Sequence, residues 1–418
     1  MGRRTRKSTR TSRTERGVLA SLRARERDLV GLARELIATP SPNPPGDERE
    51  VARIARQAMA ELGFARVRTL AQDEARPNVV GEVGAEGGRS LVLNGHLDTK
   101  PPGAEAAWEI PPYDPVVRDG KLHGLGSTDM KGAAAAMIHA GAALAEAGSL
   151  PGKVEVVLSA DEEAGSRYGA AWLASSAEIA ADAVLVGEPT GLRAGWEYIA
   201  VASRGFSAFR VRVRGTQMHS SLSDRLPSVN ASVKMARALV RFADEFRPTW
   251  KPDPRVAGAP TVNLGVVVRG GVFYGVYPGE AEFGVDVRTV PGMTLDRLRS
   301  DVDAFLGRLR DDDRGLDIEA VWEPDLAWFP PCAISPDDAL LAAAESAAEA
   351  VLGRRVPRGL MPAFTDGSHW ALAGKRCIPA FGPGLLPLAH RPNEYVSVEE
   401  VLQASRVFAL TALRYLGR

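Results

Sequence analysis

Apolar positions in the first part of the chain fall into helical stripes. Val18, Leu22, Leu29, Leu32 and Leu36 predict a helix over residues 18–37, which the prolines of 40–45 break. A second amphipathic helix follows over 48–62, ended by Gly63. Short apolar runs at 78–83 and 90–94 read as strands. Small residues after Asp129 predict a closely packed helix over 130–147, stopped by Gly148. Further strands at 154–159 and 183–186 lead into Asp161-Glu162-Glu163 and Gly187-Glu188-Pro189. This alternation predicts an α/β domain around a largely parallel central sheet, a class that binds ligands at the carboxyl ends of its strands.

The texture changes near Tyr198. A strand at 206–213 precedes a helix at 228–246, strands at 261–268 and 281–290, a helix at 295–309 and a strand at 316–321. That β-α-β-β-α-β order is the split βαβ, ferredoxin-like pattern of an inserted α+β domain. The first texture then returns. Ser335-Pro336 caps a helix to about 352, 377–381 reads as a strand, and Ser397 with Glu400 forms a capping box for a last helix to about 416. The expected organisation is a disordered basic tail over 1–17, a metal-binding catalytic domain over 18–203 and 322–418, and the insert over 204–321.

The 418 residues carry 52 Lys+Arg and 52 Asp+Glu, but seven bases and one acid fall within residues 1–16, so the remainder has a net charge of −6. An acidic body argues against nucleic acid as a partner. No apolar run approaches transmembrane length, so no membrane partner is expected, and Arg3-Arg4 lacks the apolar segment of an export signal. Cys332 and Cys377 have no zinc-motif spacing and suggest no disulfide framework; a reduced, cytoplasmic protein is expected.

Candidate chemistry starts where the strand at 90–94 stops. His96 and Asp98 follow Asn94-Gly95 two residues apart, a spacing that in extended backbone points both side chains to one side. A carboxylate so placed orients an imidazole that binds metal through its other nitrogen. Later segments add Asp129, Glu163, Glu188 and His390. Two imidazoles and three carboxylates suit zinc or a similar borderline metal, and five groups fit two metals that share one bridging carboxylate. A water bridging two such cations is a nucleophile at neutral pH. Glu162 points away from its neighbour Glu163, and a free carboxylate there is the expected general base, which later protonates the leaving nitrogen.

Asn-Gly-His-Leu-Asp-Thr, Gly-Ser-Thr-Asp-Met-Lys-Gly, Asp-Glu-Glu-Ala-Gly-Ser, Gly-Glu-Pro-Thr and His-Arg-Pro-Asn-Glu resemble, in order, the signatures of the dinuclear zinc amidohydrolases. That family includes acetylornithine deacetylase, succinyl-diaminopimelate desuccinylase, aminoacylase and glutamate carboxypeptidase, and the resemblance runs from about Val18 to the C-terminus. It implies one metal on His96, Asp129 and Glu188, and a second on Asp129, Glu163 and His390. Asp98 then stands behind His96, and Glu162 is the base. The cofactor implied is two divalent ions, zinc first, with cobalt or manganese as alternatives. The insert resembles the family's lid, which commonly forms the contact of a homodimer. His219, in Gln-Met-His-Ser-Ser, sits where the family has a histidine that stabilises the oxyanion, often in the partner's site. Arg288, in Val-Asp-Val-Arg, sits where members bind a substrate carboxylate. One position departs: Gly275 stands where the family's substrate-contacting Asn is expected, so no particular substrate preference carries over.

Other residues read more plainly. His123, His139 and His369 match no ligand motif and are taken as structural. Asp366 reads as a helix cap. Gly382-Pro383-Gly384 is either a plain turn or a loop whose amides, at Gly384, meet a substrate carboxylate. The resulting expectation is a metal-dependent hydrolase that cleaves the amide of an N-acyl amino acid with a metal-bridging water. The alternatives are a dipeptidase or carboxypeptidase acting on short peptides, or a catalytically dead binding protein.

Overall fold

The structure, a computed structural model, describes residues 12–253, 258–324 and 326–417. The chain divides into two units. The first takes in the chain up to Val201, Ile334–Gly359 and the chain from Thr365 onward; the second comprises Ala202–Ala333 with Leu360–Phe364. The insert therefore runs further than residue 321. After Trp322 the chain turns back along Gly205–Arg214, where Phe206 and Phe329 form a bridge with rings 6.0 Å apart.

The first unit is built on a six-stranded sheet, in the order Arg66–Leu70, Asn78–Gly84, Gly152–Ser159, Arg89–His96, Ala183–Val186 and Arg376–Ile378. The last four strands are mutually parallel, whereas the first two pair antiparallel. The sheet is therefore mixed rather than largely parallel. The link from Leu70 to Asn78 is too short for the crossover that parallel pairing requires. Helix Gly132–Glu146 is buried on nearly every side, and its small residues permit close approach: a Cβ on Gly141 would meet the Phe64 ring at 2.4 Å.

Helix boundaries differ from expectation where capping decides them. The first stripe forms two helices, Arg13–Ala24 and Glu26–Ala38, because Arg25 leaves helical geometry between them. A capping box between Ser12 and Glu15 starts the first helix within the stretch expected to be a disordered tail; residues 1–11 lie outside the described residues. Asp338, not Ser335, caps Ala339–Leu352. Ser397 caps Val398–Leu416, but Glu400 does not complete the box, since its carboxylate accepts the Gly384 amide at 2.8 Å instead.

The second unit holds a four-stranded antiparallel sheet, in the order Thr261–Gly270, Glu280–Thr289, Gly205–Arg214 and Asp317–Trp322. Helices Ala231–Glu245 and Leu295–Asp312 cover one face. Phe209, Val211 and Val213 point into that core with Phe242, Phe283 and Phe305, while the alternating Arg210 and Arg212 pair with Glu282 on the other face.

Candidate metal centre

The chemistry gathers at the carboxyl ends of the parallel strands of the first unit, where main-chain direction brings loop residues together. His96 ends its strand, Glu188 follows Ala183–Val186, and Glu162 and Glu163 follow Gly152–Ser159. Asp129 comes from the other side. It and Met130 leave helical geometry just before Gly132–Glu146 begins, and this turns the Asp129 carboxylate toward the strand ends.

The donor atoms form two triads around one carboxylate. His96 Nε2 lies 3.0 Å from Asp129 Oδ1 and 3.5 Å from Glu188 Oε1. His390 Nε2 lies 3.1 Å from Asp129 Oδ2 and 3.0 Å from Glu163 Oε1. Asp129 thus gives one oxygen to each triad, the geometry of a bridging ligand, and each triad draws its donor atoms within 4.8 Å of one another. Imidazole nitrogens and carboxylate oxygens in open sets of three fit zinc, cobalt or manganese. The His390 side chain is 45% exposed, whereas those of His96 and Glu188 are buried, so the centre opens to solvent on the His390 side.

Electrostatics agree with a site made for cations. Burial alone would pull both imidazoles down, but Asp129, Asp98 and Glu188 raise His96 well above its ordinary range, and Asp129 with Glu163 push His390 up to about 11. Burial, reinforced by the Asp129 charge, pushes Glu188 up to about 7. Burial also raises Glu162 well above the carboxylate range, helped by the nearby charges of Glu188, Asp366 and Glu163. Acids that repel one another in a buried cluster are relieved by bound dications.

The supporting groups differ from the sequence reading at several points. Asp98 touches His96 chiefly through its backbone: Nδ1 is 3.0 Å from the Asp98 carbonyl and 3.5 Å from its carboxylate. That carboxylate accepts the amides of Glu162 and Glu163, each at 3.1 Å, and Asn43 Nδ2 at 2.9 Å. Asp366 stands at the N-cap of Gly367–Leu372, but its side chain makes no capping bond; its buried carboxylate takes the hydroxyls of Ser159 and Ser166. At Gly384, read as either a plain turn or a loop that meets substrate, the amide is bonded to Glu400. Gly384 is a glycine for backbone reasons: its φ is 99°, and a Cβ would meet Thr128 Oγ1 at 2.6 Å.

Glu394 and Lys100 were missed. Glu394, buried and pushed up to about 8 by burial and by Asp129, accepts the amides of Thr128 at 2.8 Å and Asp129 at 3.1 Å, which fixes the Asp129 backbone. Its place in His-Arg-Pro-Asn-Glu was the available signal. Lys100 bonds the Glu163 carbonyl and sits 3.4 Å from Glu163 Oε2.

His219 and Arg288 belong to the second unit. His219 is exposed, and its Nδ1 accepts the Ser221 amide at 3.2 Å. Arg288 lies over the Phe206 ring and forms a two-pronged pair with Asp286, both contacts at 3.0 Å, so its fork already faces a carboxylate of its own chain. Gly275 has φ of 83°, the region where glycine and asparagine are at ease, so the position keeps a turn that asparagine also tolerates while lacking its amide.

Residues 92–414 match the family model described as peptidase family M20/M25/M40. A succinyl-diaminopimelate desuccinylase of Alkalilimnicola ehrlichii is 29% identical over 77% of this chain and 83% of its own. Among solved structures, the di-peptidase Dug1p of Saccharomyces cerevisiae superposes with a TM-score of 0.75 at 15% identity, over 97% of this chain and 99% of that one. The Bacillus subtilis YXEP protein, described as a dinuclear metal-binding peptidase, gives 0.64 at 18% identity over 94% and 99%. Among the described residues, no helix is long and apolar enough to cross a membrane.

Proposed function

From the premise that the chain belongs to peptidase family M20/M25/M40, we propose that it removes the acyl group from an N-acyl amino acid. It is a metal-dependent amide hydrolase. The deacylase reading draws its support from the desuccinylase relatives, which are 27–29% identical to it over the aligned residues. The observation that carries the metal chemistry is Asp129, with one oxygen in each donor triad.

In this reading His96, Asp129 and Glu188 hold one divalent ion, and Asp129, Glu163 and His390 the other, zinc being first choice for such a donor set. Bound there, two such ions would supply the Lewis acidity that acidifies a water and polarises a carbonyl. The chain's own groups do the rest. Glu162, raised by burial, takes a proton from the attacking water on its carboxylate and returns it to the departing nitrogen. His96 keeps Nε2 free for its ligand role, because Nδ1 must carry the proton that it gives to the Asp98 carbonyl. His219 is assigned to the oxyanion and Arg288 to a substrate carboxylate.

The reading extends to the assembly. The second unit, 204–321 in the sequence reading, is proposed as a lid and homodimer contact. Val266, Val267, Val268, Val272, Phe273 and Tyr274 are exposed along its outer strand and the loop that follows, a patch that supports self-association. A cytoplasmic location accords with two cysteines kept as buried thiols.

Turnover of N-succinyl and N-acetyl amino acids against dipeptides by the zinc- or cobalt-loaded protein tests the substrate class. Preference for acyl amino acids is expected. Turnover of dipeptides alone would move the chain to the peptidase reading, and no turnover of either by fully loaded protein would leave a binding protein.

A further inference from the structure

We propose that Asp366 is a positioning residue for the turn that carries Glu162 and Glu163, an inference that rests on the reading of Glu162 as the base. Asp366 is 1% exposed and about 200 residues away in sequence from the turn it holds. Its Oδ2 accepts the Ser159 hydroxyl at 2.6 Å and its Oδ1 the Ser166 hydroxyl at 2.5 Å. Both lengths are those of hydroxyls bound to a charged carboxylate. Ser159 ends its strand directly opposite His96, and Ser166 lies beyond the short helical turn Glu162–Ala164. One carboxylate therefore spans the two ends of the segment that supplies both a metal ligand and the base.

The segment needs such a clamp. Asp161 and Ser166, on either side of the two glutamates, have φ of 67° and 63°, a region that side-chain-bearing residues enter only when their surroundings hold them there. Each is held by its side chain. Asp161 accepts Asn43 Nδ2 at 3.0 Å, Arg76 Nη2 at 2.8 Å and the Tyr168 amide at 3.1 Å. Ser166 has Asp366, while its amide closes the loop on the Asp161 carbonyl at 2.6 Å. Asp98 fixes the amides of Glu162 and Glu163 from another direction.

Asp366 is itself anchored. Thr365 Oγ1 donates to the Pro379 carbonyl at 2.9 Å, and a Cβ on Gly367 would meet Pro379 Cα at the same distance, so the start of Gly367–Leu372 lies hard against its neighbour. Trp370 in that helix donates from Nε1 to Asn94 Oδ1 at 2.9 Å, which ties it to the strand that ends in His96. The clamp joins rigid elements at both ends, as supports for catalytic geometry require.

Two measurements test this. In Asp366→Asn, which keeps the shape but loses one acceptor, kcat at saturating metal should fall roughly thirtyfold with KM within about twofold. Added to Glu162→Ala, the same change should cost no more than about a further twofold, because a base that is absent no longer needs positioning. Unchanged kcat in the single variant, or a full thirtyfold additional loss in the double, would overturn the proposal. Independently of any substrate, the Gly165 and Ser166 amides should exchange hydrogen at least about tenfold faster in Asp366→Asn, with the Arg89–His96 strand unaffected; unchanged protection overturns the clamp. Should Glu162→Ala keep wild-type turnover, the base reading fails instead, and the exchange experiment still decides whether Asp366 holds the turn.

Discussion

His96 Nδ1 lies 3.0 Å from the backbone carbonyl of Asp98, closer than to the Asp98 carboxylate at 3.5 Å. The main chain thus makes the shorter contact with the imidazole, and the carboxylate faces Nδ1 from further off while it also organises the Glu162–Glu163 turn. Asp98→Ala should therefore weaken the ion held by Glu163 and His390 more than the ion held by His96 and Glu188. Stepwise metal titration reads the difference; greater loss at the His96 site would return Asp98 to the role of histidine orienter.

The two-triad arrangement sets the metal content. Reconstituted protein should hold about two ions per chain, and Asp129→Ala should lower affinity at both sites because each triad loses an oxygen. Elemental analysis that finds one ion in the wild type, or one site untouched in the variant, would count against a shared ligand.

Adjacent glutamates should behave differently. Glu162→Ala should leave both ions bound and reduce turnover about a hundredfold or more, as expected for a lost general base. Glu163→Ala should release one ion. Equal metal loss in both variants would mean that the roles are wrongly divided.

For His219 the expected loss falls on turnover, by about a hundredfold, with metal content and substrate affinity kept, since an oxyanion donor acts on the transition state. If a partner subunit supplies the group, mixing His219→Ala and Glu162→Ala chains should restore activity in part. Proven subunit exchange without rescue would exclude delivery across a dimer.

Acid should destabilise the fold through His139. This residue is buried on Gly132–Glu146 with Nδ1 unpartnered, and burial, with Arg25 nearby, pushes it down to about 4. Its folded value lies below the unfolded one, so the unfolded chain binds more protons between about pH 6.5 and 4. The stability is complete above that window and is lost as pH falls through it, by up to roughly 3 kcal/mol. Urea unfolding at pH 7.5 and 5 should show His139→Leu losing roughly 2 kcal/mol less than the wild type. Identical losses would remove His139 as the cause.

The candidate donors were legible because each sits in a short local signature. A strand end, a following turn and one titratable side chain mark His96, Glu163 and Glu188 without knowledge of what they face, and His390 is marked by its His-Arg-Pro-Asn-Glu motif. The β-α-β-β-α-β order was legible for a similar reason, since alternation and helical periodicity are properties of neighbouring residues. What sequence could not supply was every relationship in which partners are far apart along the chain. Asp129 giving one oxygen to each triad, Glu394 holding the Asp129 amide and Asp366 holding Ser159 and Ser166 are contacts across 200 residues or more, apart from the His96 contact. The same holds for Glu400, which the capping pattern assigned to Ser397 and which folding gave to Gly384. Hydrogen-bond type is written in a residue, but its partner is chosen by which groups share a buried volume, and only the packed chain determines that.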